Sequence, residues 1–352
     1  MKEVARMALQ PGMVIGADVI VQGSVVFPAG TEVNKAVIDR LARYCVMCVS
    51  VMEEIDFAST HYERIRIGDE FKNFEQQYNN CLMRYRYAMI SFINNKIPIP
   101  DSFLLGLFQE LYSKIPAPAS STLLDYLYSM MPNEDELTFT HCLNSALLAG
   151  AFADWVSMNQ TDKDTLILCA FYYDIGKLAL PYDLLWKPDK LTDEEYKLVK
   201  SHPVVGYTTV RDMPLNEHIK NAVILHHERF DGSGYPYRIA GEKIDIFARY
   251  IAIIDTYIAM ASPRSWRNAK PPFKILETFE QSREKYDPAL LIPLMKRIAD
   301  AQIGSHVRLN DGSVWEVMIV QPQKLSSPIL KNEQNQILDL SSNPELEIEK
   351  NV

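Results

Sequence analysis

Residues 225–236 read Leu225-His226-His227-Glu228-Arg229-Phe230-Asp231-Gly232-Ser233-Gly234-Tyr235-Pro236. Upstream, Asn216 is a helix-capping residue, and Ile219, Ala222 and Val223 recur at 3–4 spacing. A helix is therefore predicted to run up to the two histidines. Gly232, Gly234 and Pro236 stop further winding and make a loop. Such a loop can bring backbone close to a ligand while two imidazoles face a metal. The same residues also fit a capped helix end with exposed histidines. What favours the first reading is the rest of the helical region around them.

Residues 121–302 read as consecutive helices with no strand pattern. In Ile251-Ala-Ile-Ile-Asp255-Thr-Tyr-Ile258, the residues Ile251, Ile254, Asp255 and Ile258 share one helix face. The carboxylate thus points into the apolar side, where it must neutralise, pair with a cation such as Arg, or ligate. Asp174 ends a helix predicted from Thr161 to Tyr173, with Gly176 as its terminator. Lys177, three residues on, can reach an anion held by whatever Asp174 binds. His141 lies on the apolar face of Leu137 and Ser145. His202 precedes Pro203, at the C-terminal edge of a helix opened by the capping box Thr192…Glu195. Each histidine alone fits a hydrogen-bonded core role, but four of them with two carboxylates strain that account. His61, His218 and His306 read as surface residues. Oxygen and imidazole ligands suit Fe, Mn, Zn or Mg.

The flanking segments read differently. Residues 1–52 form a small α/β module: Val19–Val21 and Val25–Phe27 flank Gly23 as a hairpin, Asn34 caps a helix carrying Val37 and Leu41, and a strand through Val49 and Val51 closes it. Cys45 and Cys48 form a lone CxxC pair, read as small core residues on a buried strand. Residues 53–120 are a helical connecting segment with stripes at Phe71, Phe74, Tyr78, Met83, Tyr87 and at Leu104, Leu107, Phe108, Leu111, Tyr112. Residues 115–121 read as a linker. Residues 303–352 switch to period-2 alternation around the turn Asn310-Asp311-Gly312-Ser313, a small β module with a solvated acidic tail.

Of the 352 residues, 47% are apolar and 23% charged, the balance of an ordinary folded protein. No apolar run is long enough to span a bilayer, and the N-terminus lacks a signal-peptide segment, so the expected location is the cytoplasm, with no membrane partner. A formal charge of −9 excludes nonspecific duplex nucleic acid as a partner. A phosphodiester substrate would need metal ions and a few placed cations. Five cysteines are too few for a disulfide framework.

Taken together, His141, Asp174-Ile-Gly-Lys177, Ser201-His202-Pro203, His226-His227 through Gly234-Tyr235-Pro236 and Asp255 resemble, in order, the HD-GYP domain, part of the HD superfamily of metal-dependent phosphohydrolases. The likeness covers roughly residues 130–300. It implies a mainly α fold, with an all-helical HD-type domain at 121–302. It also implies hydrolysis of cyclic di-GMP in bacterial second-messenger signalling by a water activated between two metal ions. Fe or Mn is expected, with Zn, Mg or Ni as alternatives. By this likeness His141, Asp174 and Asp255 hold one metal, Asp174 bridges, and His202, His226 and His227 hold the other. Lys177 resembles the lysine near the scissile phosphate and Tyr235 the tyrosine of the signature loop. Arg264 and Arg267 resemble phosphate-binding positions.

Three departures stand out. The histidine of the naming His-Asp pair is Tyr173, which either ligates a ferric ion as phenolate or fills the space and weakens the first site. Leu137 stands where three-metal members carry a glutamate, so a third metal is not expected. Ile258 replaces a second aspartate. The competing expectation is therefore a degenerate domain that binds a cyclic dinucleotide or a protein partner without hydrolysis. The stripes of the 53–120 helices fit a homodimer contact and intramolecular packing equally well.

Overall fold

Alternating apolar residues in the first fifty positions form two short antiparallel pairs around a helix. The computed structural model describes residues 2–10, 12–21, 23–52, 61–117, 121–130, 137–185, 187, 190–262 and 269–352. By contact density these fall into two units, Met1–Gly68 and Asp69–Val352.

In the first unit, β1 (Lys2–Ala5) pairs with β4 (Cys48–Val51), and β2 (Val19–Val21) pairs with β3 (Ser24–Phe27). Asn34 caps α1 (Lys35–Arg43) by accepting a 3.0 Å hydrogen bond from the Val37 amide. Val37 and Leu41 pack on Ile15, Val33, Val49 and Val51. The strand at Cys48 forms as expected, but Cys45 and Cys48 are exposed rather than core. On β4 the pleat turns Val49 and Val51 inward, which sends Cys48 outward. Helix α2 (His61–Ile67) completes the unit.

The second unit begins with α3 (Asp69–Asn95) and α4 (Asp101–Tyr112), broken by the Ile97–Pro100 stretch. The α4 stripe is buried as read. On α3 the buried face runs Phe71, Phe74, Tyr78, Leu82, Tyr85, Met89 and Phe92, while Met83 and Tyr87 are exposed. A step of five residues from Tyr78 turns about 140° round the axis, so Met83 leaves the face that Leu82 keeps.

Helices α5 (Ser121–Ser129), α6 (Leu137–Trp155) and α7 (Gln160–Tyr172) follow. Helix α6 is buried almost all round and packs along α7. A short 3₁₀ turn (Ile175–Ala179) leads to α8 (Tyr182–Leu185) and α9 (Asp193–Val199), the latter opened by the Thr192/Glu195 capping box. Helices α10 (His202–Val210), α11 (Glu217–Leu225) and α12 (Ile246–Ala261) then close on α6, α7 and the 3₁₀ turn. Two further helices, α13 (Pro272–Gln281) and α14 (Pro288–Asp300), precede the C-terminal sheet.

That sheet is antiparallel, in the order β8 (Ile337–Asp339), β7 (Lys324–Lys331), β6 (Val314–Gln321), β5 (His306–Leu309), β9 (Ile348–Asn351). The Asn310–Ser313 turn joins β5 to β6, with Gly312 at φ +85°. The acidic side chains of the tail, Glu345, Glu347 and Glu349, are exposed, but β9 pairs with β5 and buries Ile348 and Asn351. An apolar residue two places into an acidic run is enough to supply one inward position on a strand. No helix among the described residues is long and apolar enough to cross a membrane.

Candidate metal centre

Four helix ends and two helix interiors deliver the ligand-type side chains. Asn216 does cap α11, accepting from the His218 amide, and His226 is its C-cap residue. His202 does not close α9, as its place after the capping box suggested. It opens α10, because Pro203 lacks the N–H that a helix interior needs and is preorganised for a first turn. Gly176 likewise is no left-handed helix cap. It lies inside the 3₁₀ turn, where an added Cβ would stand 1.9 Å from the His202 carbonyl oxygen and 2.7 Å from the Gly206 nitrogen. Glycine at 176 is what lets the Asp174 turn lie against the start of α10.

The two imidazoles have assignable tautomers. His202 Nδ1 is 2.7 Å from the Val199 carbonyl, and His226 Nδ1 is 3.0 Å from both the Ala222 and Val223 carbonyls. A carbonyl only accepts, so each Nδ1 carries the proton and each Nε2 presents a lone pair. Those two Nε2 atoms face each other at 3.1 Å. They also converge on Asp174 Oδ1, at 3.3 and 3.5 Å, a buried oxygen with no hydrogen-bond donor. Three electron-rich atoms so placed repel one another unless a cation stands among them. Ligating histidines characteristically donate the other ring N–H to a carbonyl, as both do here.

His227 joins this group: one donor atom from each of Asp174, His202, His226 and His227 lies within 4.8 Å of the others. His141, Asp174 and Asp255 form a second such group, sharing Asp174. There His141 Nε2 is 2.8 Å from Asp255 Oδ1 and 3.9 Å from Asp174 Oδ2. The partner of the buried Asp255 is thus a histidine, not an arginine. The residues present fit two divalent cations bridged by one carboxylate. A cost of several kcal/mol for burying two carboxylates is what such cations offset.

Protonation agrees with ligation. Burial pushes His141, His202 and His227 below the ordinary histidine value, against the pull of the carboxylates. Burial raises the Asp174 carboxyl, but the Lys177 ammonium together with His202 and His226 holds the group well below the usual range. Lys177 Nζ is 2.6 Å from Asp174 Oδ2. Asp255, which burial raises, is also held low, by its hydrogen bond to His141 together with the charges of His227, His141 and Lys177.

Tyr173 is fully buried between the two groups. Its ring centroid is 5.0 Å from that of His226, edge-on, and 6.0 Å from that of His141. Its hydroxyl lies 3.1 Å from Ser145 Oγ. Burial, with Asp174 and Asp255 nearby, pushes the phenol well above its ordinary value. With its hydroxyl beside Ser145 Oγ, Tyr173 fills the space between the two groups.

The loop after His227 folds back on it. The Tyr235 amide donates to the His227 carbonyl at 3.1 Å, and the Tyr235 ring stacks on the His227 imidazole with centroids 4.7 Å apart. A Cβ at Gly234 would lie 2.4 Å from the Arg229 nitrogen, so only glycine allows this approach. Three participants escaped the sequence reading. Glu228, 1% exposed, accepts from the Tyr237 and Arg238 amides at 2.6 and 3.1 Å and ties down the loop. Lys200 Nζ lies over the rings of Tyr235 and Tyr196, 4.6 and 5.3 Å from their centroids. A glutamate next to two histidines was the only signal for the first, and nothing marked the others. Arg264 and Arg267 lie outside the described residues, as does 118–120 of the expected linker. Of the three histidines set aside, His306 is exposed, His218 pairs with Asp245 at 2.7 Å and His61 is half-buried.

Comparison with known proteins agrees with this arrangement. Residues 126–290 match the family model described as HD domain. A cyclic di-GMP phosphodiesterase of Pseudomonas aeruginosa is 30% identical over 202 residues, covering 57% of this chain and 49% of that protein. A cyclic di-GMP phosphodiesterase of Thermotoga maritima is 30% identical over 228 residues, covering 63% and 61%. The chain thus spans about half to three-fifths of the length of these relatives. Among solved structures, an HDG"Y"P protein from Bdellovibrio bacteriovorus aligns with a TM-score of 0.42 at 14% identity, over 85% of this chain and 98% of that one. The stretch that matches the HD domain model, residues 126–290, contains every ligand-type residue converging on Asp174.

Proposed function

We propose that this chain is a metal-dependent phosphodiesterase that hydrolyses cyclic di-GMP in the cytoplasm as part of bacterial second-messenger signalling. The observation that carries the reading is the pair of unprotonated Nε2 atoms of His202 and His226 meeting at 3.1 Å on the carboxylate shared with the His141–Asp255 group. His202, His226 and His227 would hold one ion, His141 and Asp255 the other, and Asp174 both. When bound, the ions supply an acidified water and neutralise phosphate charge.

The chain's own residues do the rest. Lys177, already on Asp174, is placed to meet a non-bridging oxygen of the scissile phosphate and the charge that grows on it. Tyr235 packs against His227 and walls that side of the pocket, its hydroxyl kept protonated by burial and so able to donate. Arg264 and Arg267 belong to this reading as further phosphate contacts.

Tyr173 favours a second reading, a domain that binds a cyclic dinucleotide without turning it over. A phenol held neutral supplies no anionic ligand, which leaves the His141 group with three donors. Metal analysis of the purified chain together with assay of linear product separates the two. About two ions per chain with turnover supports the phosphodiesterase; at most one ion and no product supports the binding module. Tyr173→His is expected to raise both ion content and turnover, whereas an Asp174→Ala chain that still turns over would sink the proposed centre.

A further inference from the structure

Lys200 follows α9 as its C-cap residue, two positions before the His202 ligand. Its ammonium nitrogen lies 4.6 Å from the centroid of the Tyr235 ring and 5.3 Å from that of Tyr196. Tyr235 is the ring stacked on His227. Lys200 is therefore one aromatic ring removed from a metal-ligand imidazole, next to Val199, whose carbonyl accepts from His202 Nδ1. Two other lysines of this region are matched with carboxylates, Lys177 with Asp174 at 2.6 Å and Lys187 with Glu195 at 2.8 Å, while Lys190 and Lys197 are exposed. Among the described residues Lys200 forms no ion pair; ring faces hold it instead. Aromatic faces orient an ammonium without cancelling its charge, so it stays available to an anion. In a chain of net charge −9, a half-buried cation so held beside the pocket is a distinct local attractor for phosphate.

We infer that Lys200, caged by Tyr196 and Tyr235, binds the phosphate of a cyclic dinucleotide that is not being cleaved, and so sets preference for two-phosphate substrates over simple phosphodiesters. The inference rests on the phosphodiesterase reading and deepens it. Lys177 touches the shared carboxylate and belongs to the scissile phosphate. Lys200 contacts Tyr235, the ring that packs on His227, and is assigned to the second phosphate, which a simple diester lacks. Tyr196, itself 53% exposed, holds the ammonium from a ring 5.3 Å away, at the protein surface.

The test compares full-length, metal-loaded wild type, Lys200→Met and Lys200→Arg on cyclic di-GMP and on bis(p-nitrophenyl) phosphate. Loss of one charged hydrogen bond is expected to raise KM for cyclic di-GMP about tenfold in the methionine variant, with kcat within about threefold. The ratio of kcat/KM for cyclic di-GMP to that for the simple diester should fall by a similar factor. Lys200→Arg should recover most of it. Ion content per chain should match wild type in both, and the KM of wild type should climb more steeply with added salt than that of the methionine variant. Equal proportional losses on both substrates, or loss of bound metal, would overturn the inference in favour of a merely structural cage. Binding of a phosphorothioate analogue of cyclic di-GMP distinguishes the two levels of failure. Wild type that does not bind it overturns the phosphodiesterase reading and this inference with it. Wild type and Lys200→Met binding it alike overturns this inference alone. Lys200→Gln gives the same readouts should the methionine variant not fold.

Discussion

At the scale of single residues, the centre is set by which atom of each side chain is left without a proton. The carbonyls at Val199, Ala222 and Val223 take the Nδ1 hydrogens of His202 and His226 and so fix the Nε2 lone pairs inward. This has a consequence for pH. His141, His202 and His227 titrate below their unfolded value of about 6.5, so below that pH the unfolded chain binds more protons than the folded one. The stability they contribute is complete above about 6.5 and is lost as pH falls from there toward their folded values. Chelator-treated protein should accordingly show a falling urea midpoint between pH 7.5 and 5.5, and His202→Gln should flatten that slope. Asp174 and Asp255, also held low, add a separate loss only at more acid pH.

Glu228 acts at one remove. Its Oε1 receives two loop amides, whereas its buried Oε2 has no partner. Glu228→Ala should release the loop and cost roughly 10–100-fold in turnover or metal affinity, as loss of an outer-shell support does. Glu228→Gln, which keeps one acceptor, should retain much more of both. Equal losses in the two variants would show that the charge, not the amide contacts, matters.

At the scale of elements, the close approach of the 3₁₀ turn to α10 brings Asp174 to His202. Gly206 on α10 is the other half of that contact: a Cβ there would lie 2.9 Å from Val223 Cγ1 and 3.1 Å from the Gly176 nitrogen. Backbone cannot yield as a flexible side chain can. Gly176→Ala is therefore expected to cost on the order of 1–3 kcal/mol in urea unfolding, and to weaken metal binding by parting Asp174 from the histidines. Unchanged stability would mean the turn can shift, and would remove the reason given for glycine at 176. At Gly150 an added Cβ would instead meet a side chain, the Phe108 ring.

At the scale of the whole molecule, every described residue of the centre lies in the second unit, Asp69–Val352. A chain of residues 69–352 is expected to fold and to bind the same number of ions as the full chain. Far-ultraviolet circular dichroism and metal analysis check this; a molten fragment would show that the first unit is needed. Within the second unit, β9 covers the edge of β5, so removal of residues 345–352 should lower the melting temperature by uncovering Val307 and Leu309.

The sequence by itself determined which residue types could ligate and which faces they lie on. Asp255 among Ile251, Ile254 and Ile258 is legible because helical period and polarity are local properties, and so is the cap at Asn216. Local properties also misled. The capping box at Thr192 announced a helix whose end could not be told from the start of the next, and Gly176 read as a terminator because its neighbour in space is 26 residues away in sequence. Met83 was placed on a stripe that three-dimensional packing assigns to Leu82. What only the tertiary structure decided is which lone pairs meet: the 3.1 Å pair of Nε2 atoms, Tyr173 against Ser145, and Lys200 on Tyr235. Such contacts join residues from different helices, and their distances depend on how those helices pack, which no local pattern of residues encodes.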